Sequence, residues 1–78
     1  MGELLEIAKE IEFNAKAEAQ AVLDYTELLR KVLASGIDEE QVNLIVDTIS
    51  EIISDELNHQ MKLGQLYVKL TGIEPNQN

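Results

Sequence analysis

Two apolar stripes of nearly equal length, separated by one short break, constrain the fold of this chain more than any other feature. From Leu4 to Val32 and again from Val42 to Leu70, apolar positions recur at alternating steps of three and four. That is the period of an α-helix burying one side. Between the stripes, Ser35-Gly36-Ile37-Asp38 carries helix punctuation. Gly36 suits the left-handed conformation that ends a helix, and Asp38 suits the cap of the next, with Gln41 as its capping-box partner. The pattern predicts helix over about 3–34, a turn over about 35–38, helix over about 39–71 and a frayed tail over 72–78, where Gly72, Ile73 and Pro75 stop the second helix. So short a connection folds the helices back on each other, which predicts a single-domain, all-α, antiparallel two-helix hairpin.

Composition narrows what such a hairpin does. A chain of 78 residues buries only a modest core unless it is metallated or oligomeric. No cysteine is present, so disulfides, thiolate zinc sites and iron–sulfur clusters are excluded. The formal net charge of -9, with only six basic residues, argues against nucleic acid as a partner. No apolar run is long enough to suggest a membrane span or a leader segment, so the expected location is the cytoplasm.

Each stripe is interrupted near its centre by residues that do not belong in an apolar seam. In the first helix the seam runs Leu4, Ala8, Ile11, Ala15, Glu18, Val22, Tyr25, Leu29, Val32. In the second it runs Val42, Ile45, Ile49, Ile52, Glu56, His59, Leu63, Leu66, Leu70, and His59 is the sole histidine. Taking the turn at residue 37, Glu18 lies 19 residues before it and Glu56 lies 19 residues after it. At roughly 1.5 Å of rise per residue both sit about 28 Å from the turn, so Glu18, Glu56 and His59 should converge. Carboxylates and an imidazole in a seam are costly to bury without a compensating partner.

One hairpin cannot enclose that cluster, because each helix has a further apolar flank: Ile7, Ala21 and Leu28 on the first, Val46, Ile53, Leu57 and Tyr67 on the second. Two hairpins packed face to face would form a four-helix bundle whose centre holds two copies of Glu18 and two of the Glu56-x-x-His59 pair. That is the ligand complement of a carboxylate-bridged di-metal bundle, in which four carboxylates and two neutral imidazoles offset two divalent ions. Hard oxygen ligands with one imidazole per ion suit iron or manganese, and zinc fits the same set. Gly64 is expected to permit close helix approach, and Phe13 and Leu23, projecting away from the seam, to offer a contact for a higher oligomer.

The run Ile53-Ser54-Asp55-Glu56-Leu57-Asn58-His59, continuing through Leu63, Leu66, Leu70 and Gly72, resembles the second helix of bacterioferritins and rubrerythrins with its Asp-Glu-x-x-His core. Gly72-Ile73-Glu74-Pro75-Asn76 is similar to the turn after that helix in bacterioferritins, and Glu18 followed by Tyr25 resembles the first helix of ferritin-like proteins. The resemblance covers nearly the whole chain but half of the usual four-helix fold, and in that respect it looks like the encapsulated ferritins, whose site forms between two hairpins.

It implies a ferritin-like bundle made by a homodimer, with Glu18, Glu56 and His59 as ligands to two iron ions per dimer and ferroxidase-type oxidation of Fe(II) by O₂ or peroxide. It also implies Tyr25 near the metals as a hydrogen-bonding or electron-donating side chain, and Asp55 as a supporting carboxylate that orients His59 or a neighbouring helix. The sequence departs from these families in two ways: no segment resembles a shell-docking peptide, so a protein shell is not indicated, and no rubredoxin module is present. Two other readings share the residues. One is a helical scaffold in which they form a polar layer setting register, and the other is a metal-binding protein without turnover.

Overall fold

The computed structural model describes residues 2–72. Among these the secondary structure is helical throughout: α1 spans Gly2–Leu33 and α2 spans Glu39–Thr71. The helices, 32 and 33 residues long, lie side by side in a rod of 55 × 25 × 15 Å. At about 1.5 Å per residue, helices of this length run about 50 Å, so each spans nearly the whole rod. Neither is long and apolar enough to cross a membrane.

The turn differs from the sequence expectation in its local chemistry. Gly36 is not left-handed, since Gly72 is the one glycine with positive φ among the described residues. Ser35 ends α1 instead: its hydroxyl donates to the Val32 carbonyl at 2.6 Å, and its backbone N–H donates to the same oxygen at 3.1 Å. That occupies a carbonyl which the last helical turn leaves without an amide partner. Asp38 takes the N-cap position, and its carbonyl accepts the first α2 bond from Val42 at 2.9 Å, but its side chain makes no capping hydrogen bond. The capping box with Gln41 is therefore not formed. At the far end Gly72, at φ 73°, donates its N–H to Val68 at 2.7 Å and closes α2 in the left-handed form that glycine adopts without strain. Expectations for Ile73 to Asn78 lie outside the described residues.

Burial shows what the hairpin leaves undone. Only Ala8 and Val32 are buried among the described residues, at 0% and 8% exposure. Along α1 the positions Ala8, Ala15, Val22 and Leu29, seven apart, meet α2 and are buried or half-buried. In the column Ile7, Asn14, Ala21, Leu28, also seven apart, Ala21 is half-buried and the others turn outward, leaving Ile7 and Leu28 50% and 41% exposed. On α2 the column Ile45, Ile52, His59, Leu66 begins half-buried and ends exposed, whereas Val46, Ile53 and Tyr67 are half-buried. Leu57 stands out from this last group and is 51% exposed. A seven-residue column stays on one face of a helix, so one long side of the hairpin is an apolar face without cover.

Gly64 lies on the opposite side, in a groove shared with Ala15, Ala19, Leu63 and Tyr67. A Cβ placed there would meet nothing within 4 Å, so the hairpin does not need this glycine for helix approach. Phe13 and Leu23 are exposed, as their positions off the seam imply.

Candidate metal centre

Glu18 arrives from the middle of α1, and Glu56 and His59 from one turn of the middle of α2. Each offers a ligand atom, and the three atoms lie within 4.8 Å of one another. The convergence follows from geometry: equal distances from a tight turn put the residues level, and the shared stripe puts them on facing sides. Glu18 and Glu56 are half-buried, whereas His59 stands at the rim, its side chain 54% exposed against 25% for Glu18.

The site is incompletely satisfied by the chain's own groups. His59 Nδ1 is 3.4 Å from Glu18 Oε2, within ion-pair reach but without a hydrogen bond. Glu18 Oε2 is buried and has no hydrogen-bond partner. A buried acceptor left in that condition is a destabilising feature that a cation would remove. The 3.4 Å between His59 Nδ1 and Glu18 Oε2 suits two atoms on one ion, which stand roughly 3–4 Å apart at metal–ligand bonds of about 2.1 Å. Two carboxylates and an imidazole are also a donor set for iron, manganese or zinc. The chemistry of these three residues therefore fits a bound metal ion.

Electrostatics agree with the geometry. The Glu56 carboxyl is pushed above the ordinary carboxylate range, first by hydrogen bonding with the Glu18 carboxyl, then by burial and by the Glu18 charge, with Asp55 adding and His59 opposing. A carboxyl whose pKa is raised in the folded state favours folding while it is protonated, and that contribution fades as pH rises from its unfolded pKa through its folded one. Metal-free protein should therefore melt at a higher temperature near pH 5 than near pH 8, and Glu56→Gln should flatten the difference. Melting curves across that range in the presence of a chelator check this, and an unchanged slope in Glu56→Gln would assign the dependence elsewhere.

Two further residues named from the sequence are not drawn into the cluster. Tyr25 is half-buried two turns along α1, and no hydrogen bond joins its hydroxyl to the three ligands. Asp55 is exposed and makes no hydrogen bond to His59, whose Nδ1 faces Glu18 instead. Asn14 and Lys62, which sequence reasoning passed over, line a shallow hollow with Glu18, His59 and Leu63. Their signal was available: Asn14 is one turn before Glu18 and Lys62 one turn after His59. Asn14 also donates through its side-chain amide to the Glu10 carbonyl at 2.8 Å, which holds it on that face.

Compared with known proteins, the chain matches no family, no curated protein and no solved structure.

Proposed function

We propose that this hairpin is one half of a di-iron carboxylate protein with ferroxidase-type activity, completed by a second copy of itself. The observation that carries the reading is the convergence of Glu18, Glu56 and His59, with ligand atoms within 4.8 Å, at the rim of an uncovered apolar face. Two such faces brought together would bury Ile7, Leu28 and Leu66 and would surround the cluster with four carboxylates and two imidazoles. The resemblance of Asp55 to Leu70 and of Glu18 and Tyr25 to ferritin-like helices supports the same reading.

The chain's residues have distinct parts in it. Glu18 and Glu56 would hold the ions and offset their charge, and His59 would contribute one nitrogen ligand per chain. Loading the site needs Glu56 ionised, and the neighbouring Glu18 carboxyl pushes the Glu56 carboxyl upward, so binding tightens as pH rises. The chemistry supplied by bound iron is the loss of one electron from each Fe(II), the pair passing to O₂ or peroxide. For Tyr25, two turns from Glu18 and outside the cluster, a part in that transfer rests on the resemblance alone.

The scaffold reading draws on the same closeness of the Glu18, Glu56 and His59 side chains, which would also form a polar layer within the apolar seam. Anaerobic titration with Fe(II) followed by admission of air separates the proposals. Ferroxidase chemistry predicts saturation at about two irons per dimer and a near-ultraviolet oxo-ferric absorption, with oxygen consumed. Stoichiometric binding of zinc or manganese with no oxygen consumption by the iron form would mark a binding protein without turnover. Absence of saturable binding would leave the scaffold.

A further inference from the structure

Each rim of the uncovered face is an apolar column with one polar member. On α1 the column Ile7, Asn14, Ala21, Leu28 is interrupted at Asn14, and on α2 the column Ile45, Ile52, His59, Leu66 is interrupted at His59. The two interruptions stand at one level. With Glu18 opposite Glu56, the position four residues before Glu18 faces about residue 60, so Asn14 lies within roughly 1.5 Å of rise of His59. Both side chains line the hollow beside the cluster.

The polar groups in that hollow are oriented. Asn14 donates from its amide nitrogen to the Glu10 carbonyl at 2.8 Å, which turns its amide oxygen away from that carbonyl. Among the described residues the oxygen accepts no hydrogen bond. His59 turns Nδ1 toward Glu18 Oε2, 3.4 Å away. A histidine that gives one ring nitrogen to a metal keeps a proton on the other, and an acceptor for that proton fixes the ring and strengthens the ligand. Of the residues lining the hollow, Glu18 is itself a ligand in the reading above, Leu63 is apolar and Lys62 is a donor only, which leaves Asn14. Asp55, one turn before His59 on α2, is exposed and does not line the hollow.

We propose that Asn14 is a positioning residue of the metal site: its side-chain oxygen accepts the Nε2 proton of His59, directly or through one water, and so fixes Nδ1 as the nitrogen that meets the metal. The inference rests on the reading of Glu18, Glu56 and His59 as ligands. It gives to Asn14 the orienting part that the resemblance gave to Asp55, and it accounts for a polar residue at this one place in the α1 column.

Because His59 is the sole histidine, nitrogen-15 spectra of histidine-labelled protein report its ring alone. The probe is Zn(II), which is diamagnetic, at about pH 8, above the ordinary range of imidazole titration. In the parent the zinc form should show Nδ1 shifted by the metal and a slowly exchanging proton on Nε2. Asn14→Leu should bind zinc about tenfold or more weakly and lose the slow exchange of that proton. Its metal-free melt should be no lower than the parent's, because leucine continues the apolar column, which separates lost affinity from lost fold. Should Asn14→Leu lose helix by circular dichroism, Asn14→Ala takes its place, alanine being the best helix former. Asn14→Asp keeps an acceptor and should keep the protected proton and at least parental zinc affinity, whereas Asp55→Ala should change neither readout.

Zinc bound through Nε2, parental affinity and proton exchange in Asn14→Leu or Asn14→Ala, or loss of the protected proton in Asp55→Ala instead, overturns the part assigned to Asn14 while leaving the ligand set intact. A parent chain that takes up no zinc overturns the ligand reading, and this assignment with it.

Discussion

Leu28→Glu is expected to abolish self-association and most of the helical structure together. In the hairpin alone Leu28 is 41% exposed, so a glutamate there should be tolerated as an ordinary surface change. If the face carrying Ile7, Leu28 and Leu66 is buried against a second copy, the same change removes about 2 kcal/mol of apolar burial per chain and forces a carboxylate into an interface. Leu23→Glu, on the other side of α1, is the control and should leave the dimer unchanged.

The fold should follow association because so little of it is internal. Two buried residues among those described are too few to offset the entropy of ordering helices of 32 and 33 residues. Melting of the parent protein is therefore expected to depend on concentration, rising by about 4 °C for each tenfold increase in chain. Circular dichroism melts over a hundredfold range of concentration make the measurement. A transition that stays fixed while Leu28→Glu melts like the parent would show that the hairpin stands alone.

The second large effect concerns the ligands. Glu56→Ala and His59→Ala are each expected to weaken metal binding about a hundredfold or more, beyond the loss seen when only a supporting residue around a metal is removed. The two should differ without metal. Removing Glu56 also removes a carboxyl held against Glu18, so metal-free Glu56→Ala should lose the parent's fall in stability with rising pH. Removing His59 leaves the Glu18 and Glu56 carboxyls in place, so metal-free His59→Ala should keep the parent's fall in stability with rising pH. Calorimetric titration with Mn(II) or Fe(II), paired with chelated melts, reads both effects. Equal metal affinity in the parent and in Glu56→Ala would remove Glu56 from the ligand set.

The hairpin and the approach of its central polar residues were legible because both follow from periodicity and from counting outward from a turn. Glu18 and Glu56 are equidistant from residue 37 and lie in seams, which leaves a helical chain little choice but to bring them level. The turn itself was less legible. Gly36 and the Asp38–Gln41 pair carry the right residue types, yet Ser35 closes α1 with its own hydroxyl, and that choice turns on local side-chain competition rather than on residue type.

Asn14 and Lys62 were missed because each reads as an ordinary exposed polar residue until the hollow beside His59 places them. Gly64 was misread for the opposite reason. Its helical cost suggests a close neighbour, but a Cβ there would meet nothing within 4 Å of this chain. Which flank of each helix stays open depends on the rotation of two helices about their own axes, a quantity that a wide apolar stripe leaves undetermined. Val46, Ile53 and Tyr67 turned inward, whereas the column through His59 is half-buried at Ile45 and Ile52 and opens outward at His59 and Leu66.

The central claim is that one chain holds half of a metal site and that a second copy supplies the rest. Native mass spectrometry of the Fe(II)- or Mn(II)-loaded protein measures chains and ions in the same particle. The account predicts two chains with two ions, and Glu56→Ala or His59→Ala particles that carry none under the same loading. A metal-loaded monomer with a single ion held by Glu18, Glu56 and His59, or a dimer that takes up no metal, would contradict it.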